Sequence, residues 1–157
     1  MIKINTYSHT FKSFCIFFNL YFISFFMNAY SDLDKLNLPV GFEISIFAKD
    51  LDSPRQITQT DDGYVIVGSK KGDKIYALHD QDLDGYAEKR ILIADGLQNP
   101  TGVSVFEGDL YFAEIDTIWI IKDIDQWFKQ NSKLLPQKTI YMNNLPSETW
   151  HGFKYID

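Results

Sequence analysis

The residues able to do chemistry fall in two short stretches. The first, Asp80-Gln81-Asp82-Leu83-Asp84-Gly85-Tyr86-Ala87-Glu88, spaces carboxylates at positions one, three, five and nine, with glycine at six. Calcium is a hard cation that takes six to eight oxygens, and alternate residues of a tight loop point inward to supply them. Gly85 permits the sharp turn, and the Tyr86 carbonyl adds a backbone oxygen at position seven. Asp80, Asp82, Asp84, Tyr86 and Glu88 are therefore the candidate calcium ligands. Ile91 stands where a helix-loop-helix hand needs its closing glutamate, which excludes that motif. The competing reading is a solvated acidic turn without metal. Mutual repulsion of crowded carboxylates weighs against it. An ion here would staple the loop and leave catalysis to other groups.

The second stretch is Leu145-Pro146-Ser147-Glu148-Thr149-Trp150-His151-Gly152-Phe153-Lys154-Tyr155-Ile156, in which His151 sits where a loop turns into a strand. An imidazole titrating near neutrality can take a proton from a hydroxyl. A structural histidine capping a turn explains the same residue. His79, beside the acidic loop, reads as a surface residue. Motifs for phosphate cradling, thiol redox, zinc hydrolysis and serine nucleophiles are all missing. No residue is assigned to binding an organic cofactor.

The elements that must position these groups repeat. Pro54-Arg55-Gln56-Ile57-Thr58-Gln59-Thr60, a turn at Asp61-Asp62-Gly63, Tyr64-Val65-Ile66-Val67-Gly68 and Lys74-Ile75-Tyr76-Ala77-Leu78 are followed about 46 residues later by a second series. That series is Pro100-Thr101-Gly102-Val103-Ser104-Val105-Phe106, a turn at Glu107-Gly108-Asp109, Leu110-Tyr111-Phe112-Ala113 and Thr117-Ile118-Trp119-Ile120-Ile121. A fourth apolar run closes each copy, Arg90–Ala94 and Lys138–Met142. A four-stranded unit at this period reads as the blade of an all-β propeller. Blade one spans roughly 53–95 and blade two roughly 99–143, with a helical insertion from Ile124 to Gln137. Phe42–Phe47 alternates as a leading strand, and Gly152–Asp157 reads as the start of a third blade. The 16% aromatic content suits pleated surfaces, and Tyr76, Tyr111, Phe112 and Trp119 read as packing between blades.

Residues 1–31 differ in kind. Lys3 and Lys12 are their only charges, an apolar run extends from Phe14 to Met27, and Ala29-Tyr30-Ser31 supplies small residues at a cleavage site. That is the layout of a secretory signal peptide, and the run is short for a bilayer span. Export leaves residues 32–157 without cysteine, so stability comes from packing or bound ligands rather than disulfides. The net charge of −6 becomes −8 when the two signal lysines leave. Such acidity argues against nucleic acid and anionic lipid as partners. The expected location is periplasmic or secreted, with no stable membrane span after processing.

Several blocks together resemble the L-sorbosone dehydrogenase-like relatives of soluble glucose dehydrogenase. They are Leu38-Pro39-Val40-Gly41-Phe42, Gly72-Asp73-Lys74-Ile75-Tyr76-Ala77-Leu78, the acidic loop, Ala94-Asp95-Gly96-Leu97-Gln98-Asn99-Pro100-Thr101-Gly102-Val103, Leu110-Tyr111-Phe112-Ala113-Glu114 and Leu145-Pro146-Ser147-Glu148 with His151-Gly152. The resemblance spans residues 38–157 and implies a six-bladed propeller that binds pyrroloquinoline quinone (PQQ), often with calcium. It implies PQQ-dependent oxidation of a sugar or aldose, with His151 as the base and hydride passing to the quinone. Relatives often pair two histidines where this chain has Trp150-His151. The arginines, lysines and calcium ligands that hold the quinone in relatives fall mostly beyond Asp157, and Gln98 or Asn99, on a loop entering blade two, aligns only loosely with a position near the cofactor. Two blades alone expose apolar faces and sheet edges, so this stretch reads as an inactive fragment of a longer enzyme. The alternatives are a non-catalytic propeller binding module and a propeller lactonase-type hydrolase. Substrate and electron acceptor are left open.

Overall fold

The computed structural model describes residues 33–148 and 152–157. The chain divides into two compact units, Met1–Ser45 and Ile46–Asp157. In the first, the described part is a 3-10 turn at Leu33–Lys35 and a reverse turn in which Phe42 N–H donates to the Pro39 carbonyl at 3.1 Å. The expected signal peptide lies outside the described residues. The leading strand expected at Phe42–Phe47 does not form; Phe42 and Ile44 are exposed and no ladder engages them. Alternation alone does not make a strand when no neighbouring strand supplies a ladder. No helix among the described residues is long and apolar enough to cross a membrane.

The second unit is almost entirely antiparallel β-structure. Strands β1 (Pro54–Gln59), β2 (Val65–Ser69), β3 (Ile75–His79) and β4 (Lys89–Ala94) form one sheet in chain order. Strands β5 (Gly102–Phe106), β6 (Asp109–Ala113), β7 (Ile118–Ile121) and β8 (Thr139–Met142) form a second sheet in the same order. Aromatic and β-branched residues dominate these runs, and tight turns join them. Thr60 closes the first hairpin, its N–H bonded to the Tyr64 carbonyl and its hydroxyl accepting from Tyr64 N–H. The two ladders match in detail. Thr58, Ile66 and Ala77 form one cross-strand row, as do Ser104, Tyr111 and Ile120. A register irregularity falls at Ile75/Tyr76 in the first sheet and at the corresponding Ile118/Trp119 in the second.

The sheets pack through one face of each. Ile66, Ile75, Ala77 and Ile93 meet Val103, Leu110, Phe112 and Ile121 in a single cluster that excludes water. Strands β1 and β5 run side by side in the same direction. Gln56 Nε2 donates to the Val103 carbonyl at 3.0 Å, and Val105 N–H donates to Thr58 Oγ1 at 3.2 Å. The insertion supplies one short helix, α1 (Ile124–Lys129), shorter than the stretch to Gln137 that the sequence led us to expect. Ile124 and Phe128 bury into the cluster, the Phe128 ring stacks on Tyr64 at 3.8 Å, and Lys129 pairs with Asp62 at 2.9 Å. The helix therefore bolts the second sheet to the first sheet's hairpin. Tyr76, expected to pack between blades, lies on the face of the first sheet turned from the second, beneath Arg90, and Tyr111 lies on the face of the second turned from the first.

Asp109 starts the helix connection. Its carboxylate takes the Asp123 N–H at 3.0 Å and pairs with Lys122. Partial burial alone would raise this carboxyl, but the bonds from Lys122 and Asp123 outweigh it and hold it below its ordinary value. A depressed folded value means the contribution is present at neutral pH and lost as acid protonates the group. Two outcomes follow. Truncating the fully buried Phe112 to alanine costs about 3–5 kcal/mol in urea unfolding, because nothing can collapse into the space between two sheets. Asp109→Asn lowers stability at pH 7 and flattens the loss that the parent shows from roughly pH 5 downward, read by unfolding midpoints across pH.

Candidate functional site

The acidic loop joins β3 to β4, and its own backbone shapes it. Leu83 and Gly85 take positive φ of 61° and 90°, the left-handed turns that curl the segment back on itself. Each acidic side chain then collects N–H groups. Asp80 accepts from Asp84 at 3.2 Å and Gly85 at 2.9 Å, Asp84 from Tyr86 at 2.8 Å, and Glu88 from Gln81 at 2.9 Å. Ala87 N–H, donating to the Phe47 carbonyl at 2.8 Å, pins the loop to the segment ahead of β1. One oxygen from each of Asp80, Asp82, Asp84 and Glu88 lies within 4.8 Å of the others. Calcium–oxygen bonds of about 2.3–2.6 Å place ligands at most about 5 Å apart across the ion, so the four oxygens fit one calcium. Magnesium, at about 2.0–2.1 Å, would require them to contract. Exposed carboxylates also gather in loops without an ion, and three of these four are exposed.

His79, at the end of β3 and expected at the surface, is half-buried. Its ring stacks on Tyr64 at 4.3 Å, and its Nδ1 is buried without a hydrogen-bond partner among the described residues. The aromatic row His79, Tyr64, Phe128 thus runs from the edge of the acidic loop to α1. Nothing in the local sequence around His79 marks this, because Phe128 arrives from 49 positions away.

The candidate base His151, with Thr149 and Trp150, lies outside the described residues. Its flanks are placed. Leu145 N–H donates to the Asp116 carbonyl at 3.0 Å, and Lys154 Nζ donates to the carbonyls of Pro146 and Gly152. A Cβ on Gly152 would meet the Glu148 carbonyl at 2.5 Å, so glycine is required for this close approach. The antiparallel order sends loops 70–74, 95–101, 114–117 and 143–148 to one end of the sheets and the acidic loop to the other. A strand of five or six residues separates those ends by roughly 17–20 Å. An ion among the acidic residues is therefore out of reach of chemistry beside the 143–148 loop.

Sequence reasoning missed Glu114 as an organiser of that second end. Its carboxylate accepts the Trp119 indole N–H at 2.6 Å and the Gln98 N–H, bracing two loops against each other. The isolated acid after a strand gives no sequence signal; only its cross-loop partners do.

Residues 31–134 match the family described as a domain of unknown function, DUF7133. The chain is also similar to an uncharacterized protein of Borreliella burgdorferi, 27% identical over 99 residues, which covers 62% of this chain and 24% of the relative. The matched stretch thus spans about a quarter of that relative's length. On the extent of its family match, the chain belongs to the DUF7133 family.

Proposed function

We propose that the two sheets are successive blades of a β-propeller, and that the propeller is that of an exported PQQ-dependent sugar or aldose dehydrogenase. The observation that carries the blade reading is the head-to-tail stack of two matched four-stranded meanders whose first strands lie parallel. A sheet apolar on both faces needs a neighbour on each side, and radial repetition is the arrangement that supplies it. The dehydrogenase reading rests on the sequence blocks that resemble L-sorbosone dehydrogenase-like proteins. In it, His151 takes the proton from the hydroxyl at the carbon being oxidised. PQQ, when bound, supplies the two-electron acceptor.

Two lysines near the 143–148 end of the sheets are already engaged. Lys74 is paired with Asp73, and Lys154 is committed to the Pro146 and Gly152 carbonyls, so neither is free for an anionic quinone. Calcium fits Asp80, Asp82, Asp84 and Glu88, with the Tyr86 carbonyl as a fifth donor. Its role at that end is to relieve repulsion among the carboxylates and hold β3 to β4.

Calcium raises the thermal midpoint, by about 2.7 kcal/mol of added stability at a hundredfold excess over its dissociation constant. The Asp82→Asn, Asp84→Asn double variant loses this response; a parent protein whose midpoint ignores calcium removes the ion from the account. For catalysis, the encoded polypeptide that carries this chain is supplied with PQQ, calcium and aldoses while dye reduction is followed. His151→Ala abolishes turnover and leaves quinone binding intact. Undiminished turnover in that variant takes His151 out of the reaction. Lactone hydrolysis without dye reduction would favour the hydrolase alternative.

A further inference from the structure

The connection between β7 and β8 carries more than the repeat requires. Its counterpart in the first sheet, residues 80–88, is a tight loop, whereas residues 122–138 add α1 and a return segment. One side of α1 is spent on the core: Ile124 and Phe128, four positions apart, are buried in the shared cluster. The other side is spent on nothing the fold uses. Gln126 and Gln130, also four apart, are exposed with the half-buried Trp127 beside them. With Asp123 and, from the return segment, Gln137, they line a cavity of about 390 Å³ between α1, β7 and the start of β8. Small-molecule sites run from about 300 to 1,000 Å³.

The polar groups of this cavity are unengaged. Among the described residues no hydrogen bond involves the side-chain amides of Gln126, Gln130 or Gln137, or the Trp127 indole N–H. Asp123 stands at the start of α1, yet its carboxylate caps no N–H there, and only its backbone N–H is held, by Asp109. The lysine of the lining, Lys122, is drawn off to Asp109, so the cavity has no free cation for an anionic ligand. What is left is an indole face, three neutral amides and one carboxylate. Amide and carboxylate oxygens accept from hydroxyls, and amide N–H groups donate back to them. The indole offers an apolar plane for the C–H face of a sugar ring. That plane is fixed in advance, since Trp127 packs against the core cluster and lies tilted on Phe128 at 5.2 Å. Preorganisation of this kind lowers the entropy lost on binding. A quaternary ammonium would use the indole and Asp123 but none of the three amides.

We propose that this cavity is a non-catalytic saccharide-binding site, with Trp127 stacked on a sugar ring and Asp123, Gln126, Gln130 and Gln137 bonded to its hydroxyls. The β7–β8 connection lies at the acidic-loop end, a strand length from the flanks of His151. The site therefore goes beyond the proposed reaction and rests on neither the quinone nor the calcium reading. It holds a glycan without transforming it.

The test titrates the full chain with glucose, galactose, mannose, N-acetylglucosamine and maltose while the indole N–H resonances are followed by NMR. The Trp127 signal is the one lost in Trp127→Phe. The expected result is a Trp127 shift with at least one of these sugars, saturating with a millimolar dissociation constant. Asp123→Asn, and separately the Gln126→Ala, Gln130→Ala pair, weaken that binding about tenfold or more. All three positions are exposed, so both variants keep the parent's unfolding midpoint within a few degrees. No Trp127 shift with any of the five sugars, at concentrations up to tens of millimolar, overturns the proposal. An equal response in the parent and both variants overturns it as well. So does a shift confined to the Trp150 signal, which would put the sugar beside His151, or a response to choline in place of the sugars.

Discussion

The structure depends on burying one face of a four-stranded sheet against the opposite face of the next. Ile66, Ile75 and Ile93 are each within 1% of complete burial, and so are Leu110 and Phe112 across from them. At about 25 cal/mol per Å² of apolar surface, this contact supplies most of what offsets the ordering of eight short strands. Neither sheet has that contact alone. Helix α1 reinforces it by laying Phe128 on Tyr64, and the parallel seating of β1 on β5 fixes the direction in which the stack grows.

This constraint explains what was legible in the sequence. Strand limits followed from β-branched runs between Asp-Gly and Glu-Gly turns, and the matching periods announced two equivalent units. Face assignment was harder. Tyr76 and Tyr111 both alternate correctly and lie on the faces turned from the shared core, and period-two patterning states that two faces differ but not which neighbour each one meets. Phe42–Phe47 alternated equally well and forms no strand, since a ladder requires a partner as well as a pattern. His79 reads as a surface residue beside four acids and is half-buried, because a helix inserted far along the chain stacks over it through Tyr64. Glu114 was invisible for the same reason: its two partners belong to different loops.

The candidate chemistry divides between the ends of the sheets. The alternate spacing of Asp80, Asp82 and Asp84 brings their carboxylates and that of Glu88 together, with one oxygen of each within 4.8 Å of the others. The other end carries the flanks of His151, tied by Lys154 and by contact between Asp116 and Leu145. Separating the two by a strand length lets one end bear a structural load while the other is free to vary in its loops, a division common where function sits on connections over a rigid scaffold.

The direct test of the head-to-tail stack is disulfide trapping between its inner strands. Cysteines at Thr58 and Val105, with Cys15→Ser, sit where Val105 N–H meets Thr58 Oγ1 at 3.2 Å, close enough for a bridge after a small backbone adjustment. Mass spectrometry under mild oxidation should find this pair joined rapidly, and a Thr58–Thr101 pair, displaced along the strand, unjoined. Rapid bridging of the Thr58–Thr101 pair with none between Thr58 and Val105 would mean that the first strands do not lie parallel in this register, and the stacked-sheet account would fail.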